Sequence, residues 1–269
     1  MSVFVAEELS EVLNTKVVIG RINMGLLNRI IIDDVLLDDQ SGQEMLKVTR
    51  LSAKFDIMPF FKGKISISSV QLFGFNINLR KETPDSPPNF KFVLDAFASK
   101  DTVKKENSLD LRINSILIRR GRMSYHVLSE EETPGKFNAK HIQLQNIIAN
   151  ISLKALSKDS LNLGIKRLSL DEKASGFSLK KMSLKLVANN KQTNIDNFTI
   201  ELPETSLKLD TIHLEYDSLK AFDRFTEQVH FSFRTLPSQV TLKDISPFVP
   251  IRSHFKEPVT LDMEVKGTV

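Results

Sequence analysis

Apolar residues in this chain recur in the spacing apolar-x-apolar-x-x-apolar-x-apolar, and that spacing limits the possible folds more than any other feature. It runs Ile30, Ile32, Val35, Leu37, then Ile65, Ile67, Val70, Leu72, then Leu111, Ile113, Ile116, Ile118, then Leu163, Ile165, Leu168, Leu170. It returns as Phe177, Leu179, Met182, Leu184 and as Leu207, Leu209, Ile212, Leu214. Steps of two place side chains on one face of a strand, so each half of the motif reads as a strand with one oily face and one wet face. The central step of three inverts that face. Half the apolar residues would then point into water unless a bulge, a sharp bend or a change of sheet turns the chain there. The expectation is a strongly curved, one-sided sheet.

Between the strand patterns, Ala6 to Leu13 reads as a short amphipathic helix with Phe4, Leu9, Val12 and Leu13 as its apolar stripe. Asp38 to Gly42 is rich in turn formers, and Met58 to Gly63 interrupts the sheet pattern with Pro59 and Gly63. The loop Lys81 to Asn89, with three prolines, leads into a helix lined by Val93, Ala96 and Phe97. Lys100 to Ser108 and Glu130 to Gly135 read as exposed connections. Strands dominate from Phe137 onward, relieved by helical turns at Ser218 to Phe225 and Asp244 to Pro247. Ile65, Ile67, Val70 and Leu72 match Leu111, Ile113, Ile116 and Ile118 at an offset of 46. Phe75, Ile77 and Leu79 match Met123, Tyr125 and Val127 once two extra residues are allowed. These similarities suggest a β structure that grows by adding strands. We divide the chain into an N-terminal unit, residues 1–130, and a continuing set of β repeats, residues 131–269. Both ends read as cut from something longer.

Chemistry is sparse. The five histidines are scattered singly, and His213 with Glu215, two apart on one strand face, is the one close pairing with a carboxylate. Two groups fall short of a metal site, so no metal and no cofactor is expected. The acid pairs Asp33-Asp34 and Asp38-Asp39 fit turn or strand positions better than acid-base work. Phosphate-cradling glycine loops, nucleophile elbows and zinc-protease motifs are all missing, so the chain is not expected to be an enzyme. The net charge of +4 arises from 37 basic and 33 acidic residues spread along the chain, which argues against a nucleic-acid partner. With no cysteine there are no disulfides, and no segment is long and apolar enough for a membrane-spanning helix.

Two arrangements satisfy the same alternation. The halves of the chain can close over each other as a sandwich with an ordinary core, or the sheet can stay open as a half-pipe that holds acyl chains.

The stretch Leu9 to Ile22, a short helix followed by Val17-Val18-Ile19-Gly20-Arg21-Ile22, resembles the start of AsmA-like proteins. Phe55 to Ile65, containing Pro59-Phe60-Phe61-Lys62-Gly63-Lys64-Ile65, continues the likeness, as does Val70-Gln71-Leu72. Asp196 to Pro203, Leu242 to Phe248 and Lys266-Gly267-Thr268 are similar to the TamB translocation and assembly module of Bacteroidetes type. The resemblance implies a mainly β fold, an elongated, curved antiparallel sheet forming an open apolar groove with a few short helices. It implies a periplasmic location, with the whole protein held in the inner membrane by an N-terminal anchor that would precede Ser2. It also implies phospholipid acyl chains as the groove's occupants, moving between inner and outer membranes. A C-terminal region beyond these residues would meet outer-membrane assembly machinery. The expected groove residues are Ile65, Ile67, Val70, Leu72, Phe75, Ile77, Leu111, Ile113, Ile116 and Ile118. The competing expectation is an interaction scaffold for outer-membrane protein assembly, in which the same face is closed core and a free strand edge does the work.

Overall fold

A computed structural model describes residues 2–26, 28–55, 67–98, 114–156, 160–249 and 257–267. Ile65, Leu111 and Ile113, the Met58 to Gly63 interruption and the Lys100 to Ser108 connection lie outside the described residues.

The chain begins with a helix, Ser2–Leu13, one turn longer than its pattern suggests. It ends in a left-handed Asn14 (φ 48°), where the N–H groups of Asn14 and Thr15 donate to the carbonyls of Glu11 and Ser10. This motif satisfies carbonyls that a helix end otherwise leaves bare. Six strands follow: β1 (Val17–Gly25), β2 (Arg29–Asp38), β3 (Glu44–Phe55), β4 (Ile67–Lys81), β5 (Ser115–Val127) and β6 (His141–Leu156). A helix, Lys91–Ala98, lies in the connection between β4 and β5. Then come β7 (Ser160–Glu172), β8 (Ser178–Asn189), β9 (Gln192–Glu201), β10 (Ser206–Glu215), β11 (His230–Thr235), β12 (Ser238–Val240), β13 (Val259–Leu261) and β14 (Glu264–Gly267). A helical turn at Leu219–Arg224 falls within the expected Ser218 to Phe225, a further turn, Phe225–Gln228, continues past it, and Leu242–Ile245 begins two residues before the expected Asp244 to Pro247.

The chain forms two compact units: Met1–Ile148 with Glu172–Ser175, and Ala149–Asp171 with Gly176–Val269. In the first, the hydrogen-bonded order is β1-β2-β3-β4-β5-β6, and in the second it is β6-β7-β8-β9-β10-β11-β14, with β12 beside β10 and β13. The mainly β expectation holds, but the sheet is mixed rather than antiparallel, because β4 and β5 run parallel. Parallel neighbours need a long crossover, which the connection from Glu82 to Asn114 with its helix provides, while every other strand pair described is antiparallel and joined by shorter links.

The internal repeat takes a simpler form than the sequence suggests. Ser69 pairs with Ser115 and Lys81 with Val127, so one offset of 46 runs the whole length of β4 and β5 with no inserted residues. Ile77 stands opposite Met123 and Leu79 opposite Tyr125. The apparent slip arises at Gly121, where an added Cβ would sit 2.5 Å from the Phe75 ring. The ring occupies the space that a side chain at Gly121 would fill.

Candidate functional site

The step of three is a backbone device, and in the first unit neighbouring strands make it together. Asp34 in β2, Gly74 in β4, Arg120 in β5 and Asn146 in β6 all have positive φ, between 55° and 64°. Such a residue turns the strand by one position and restores the apolar side chains to the same face. Register is kept across it: Ile19 pairs with Val35 and Arg21 with Asp33, and Val48 pairs with Phe75 and Arg50 with Phe73.

Four cross-strand rows follow from this alignment. Met24, Ile30, Ala53, Val70 and Ile116 form the first, and Ile22, Ile32, Leu51, Leu72 and Ile118 the second. Beyond the step lie Ile19, Val35, Val48 and Phe75, then Val17, Leu37, Leu46, Ile77 and Met123. No charged residue stands in any row. Cross-strand neighbours of this kind are the unit of sheet stabilisation.

Burial is densest beyond the step, although Ile22 and Ile32 of the second row pack against the same cluster. Ile19, Val48 and Phe75 are buried, as are Val17 and Leu37, and the N-terminal helix packs Val5, Ala6 and Leu13 over this end, joined by Phe90, Phe92 and Val93. The helix therefore turns a different face inward from the one its pattern implies, since Phe4 is 68% exposed and Val12 45%. The small Ala6 sits against the sheet because it allows close approach. In the first two rows no residue is buried, and Met24 is 71% exposed.

Of the expected groove residues within the described set, Val70 pairs with Ile116 and Leu72 with Ile118, all four half-buried. Ile67, also half-buried, pairs with Phe55 across a register irregularity. Phe75 is buried and Ile77 half-buried, both beyond the step.

The second unit carries a comparable row, Leu163, Leu186, Ile195, Ile212, Phe233 and Val265, in which every member is half-buried. Here the steps coincide with register shifts, between Ile165 and Leu168 and between Leu209 and Ile212, and with a left-handed Asn197 (φ 52°). Phe231 and Phe233 stack with centroids 6.2 Å apart, and Phe225 lies 6.3 Å from Phe231. This aromatic run reaches Tyr216 through Phe222, beside the small core of Tyr216, Ala221 and Val229.

Of the acid pairs singled out from sequence, Asp33 and Asp39 are committed to structure. Asp33 accepts a 2.6 Å hydrogen bond from Arg50, which holds its carboxyl below the usual range. Asp39 accepts from Arg80 at 2.7 Å, from Asn89, and from the Ser41 and Gln43 backbone. Burial pushes its carboxyl up, but hydrogen bonds from the Ser41 hydroxyl, the Gln43 and Ser41 N–H groups and Asn89 outweigh it and the net shift is downward. His213 bridges Asn194 at 2.5 Å and Glu215 at 2.9 Å. The histidines are not all solitary, however. His126 and His141 face each other with their Nδ1 atoms 3.0 Å apart, a pairing that sequence reading missed.

Among the described residues no helix is long and apolar enough to cross a membrane. Comparison with known protein families and with curated proteins finds no match for this chain.

Proposed function

We propose that this chain accommodates phospholipid acyl chains on its apolar sheet face, as part of a TamB-like, inner-membrane-anchored periplasmic protein that moves lipid between membranes. One observation carries the reading: aligned apolar rows, free of charge, stay half-exposed in both units instead of being sealed as a sandwich core would be. An ordinary core drives such residues out of water almost completely. Rows left open are suited to a ligand that is itself an oily chain.

Each methylene of an acyl chain removed from water gains about 0.8 kcal/mol. A face of equivalent rows offers the same gain at successive positions, so movement along it is passive and meets no large barrier. Val70, Leu72, Ile116 and Ile118 are the contact residues of the first unit, with Ile30 and Leu51 beside them.

The test is comigration of a fluorescent phospholipid with the purified chain on a native gel, beside a Val70→Glu/Ile116→Glu variant whose fold is checked by circular dichroism. Lipid on the wild type that is lost from a folded double variant is the expected result. No lipid on the wild type, together with an unfolded variant, would mean that these residues are sealed core and would favour an assembly scaffold working through a strand edge.

A further inference from the structure

We propose that His126, Glu132 and His141 form a zinc site that fastens the connection between β5 and β6. His126 stands one residue before the end of β5, His141 opens β6, and Glu132 lies in the acidic connection between them. The three side chains bring one ligand atom each to within 4.8 Å of one another. A tetrahedral zinc ion with bonds of about 2.0 to 2.2 Å sets its ligand atoms roughly 3.3 Å apart. The two Nδ1 atoms, at 3.0 Å, already match that edge. Glu132 Oε1 is 3.9 Å from the His126 Nδ1, on a side chain 62% exposed, so a small rotation brings it into range.

The surroundings orient the site. His141 Nε2 lies 2.9 Å from the Glu130 carbonyl. A carbonyl can only accept, so this nitrogen carries the proton and the Nδ1 of a neutral His141 presents a lone pair toward His126. Histidine ligands are held this way in metal sites, with the second ring nitrogen donating to a carbonyl or carboxylate. Without an ion, His126 Nδ1–H donates to that lone pair. Binding an ion moves the His126 proton to Nε2 and turns both nitrogens inward.

The connection is a built structure. Glu130 and His141 donate their N–H groups to Val127 and Asn138, Lys140 accepts from Val127, and Lys140 pairs with Glu130 at 2.5 Å. With Glu130 engaged by Lys140, Glu132 is the carboxylate placed for the imidazoles, and the set of two histidines and one glutamate is a recurring zinc donor set. Three protein ligands leave the fourth position for water.

Zinc chloride titrated into the whole chain by calorimetry, in a buffer without chelators, tests the proposal. The expected result is one zinc per chain, with cobalt giving the visible bands of a tetrahedral site. Affinity should fall at least about tenfold in His126→Gln and in Glu132→Gln, and should be unchanged in His213→Gln. Glu132 is exposed, so its variant keeps the test valid if His126→Gln fails to fold. A folded wild type that takes up no zinc would reduce the pair to a histidine–histidine hydrogen bond and overturn the proposal. So would zinc binding that survives unchanged in both site variants.

Discussion

The two units use the same apolar spacing and reach different states of cover. In the first, Val17, Ile19 and Leu37 are buried with the N-terminal helix packed against them, and Val48, 4% exposed, and Phe75, 7% exposed, are buried as well. In the second, the row from Leu163 to Val265 has no buried member. The difference teaches that the spacing specifies which face is oily and leaves open whether that face is covered. At Val17, Ile19 and Leu37 the cover includes the N-terminal helix, which is encoded elsewhere in the chain.

A charge introduced on each side of this contrast should sharpen it most. Val48→Glu would place a carboxylate in a sealed position and should cost the first unit about 4 kcal/mol or more. Leu186→Glu, on a half-exposed row of the second unit, should cost about 1 kcal/mol. Urea denaturation followed by circular dichroism gives the totals, and hydrogen exchange assigns each loss to its unit. Equal losses would erase the distinction.

Close packing should differ in the same direction. Gly121→Leu drives a side chain into the Phe75 ring and should cost about 3 kcal/mol, partly recovered by Phe75→Leu. Gly164→Ala in the second unit meets only the Ser152 hydroxyl, which can rotate, so its cost should stay near 1 kcal/mol by the same measurement.

Acid should weaken the first unit through Glu172, whose carboxylate is buried yet accepts from the Gln143, Ala174 and Ser175 N–H groups and the Ser175 hydroxyl. Burial raises this carboxyl's pKa, but the hydrogen bonds outweigh it and the net shift is downward. The unfolded chain therefore binds the proton more readily. The stabilisation is fully present above the ordinary carboxylate range, about pH 4.3, and is lost as pH falls through the lowered folded value. Glu172→Gln should cost about 2 kcal/mol at neutral pH and flatten the acid end of the stability profile, measured by urea midpoints from pH 7 to 3.

The smallest effect belongs to the steps themselves. Asn197→Gly relieves a left-handed residue and should change stability by only a few tenths of a kcal/mol, whereas Asn197→Val should destabilise by about 1 kcal/mol. Thermal melts of the two variants check the pair.

Much of this was legible in the sequence. Four of the five strand residues that take positive φ at a step are Asp34, Gly74, Asn146 and Asn197, the residue types that tolerate that conformation best. Arg120 is the exception, and its guanidinium lies 5.2 Å from the Phe73 ring centroid. The parallel pairing of β4 and β5 was hidden because alternation is identical in parallel and antiparallel strands, and only the long connection hinted at it. The helix face was misread because Phe4 and Val12 are more hydrophobic than Ala6, although Ala6 is the one that fits against the sheet. His126 and His141 looked isolated because they are far apart in sequence, and they meet only once β5 and β6 are set side by side.

The central claim is that part of the apolar face is open, and the absence of cysteine makes it directly testable. Single cysteines placed at Ile116, Leu186, Val48 and Leu37 would be reacted with a water-soluble maleimide under native conditions. The account predicts that Ile116→Cys and Leu186→Cys label within roughly tenfold of the unfolded chain, while Val48→Cys and Leu37→Cys label at least about a hundredfold more slowly, because they require local opening. Protection of Ile116→Cys and Leu186→Cys as strong as that of Val48→Cys would mean a closed core and would contradict it.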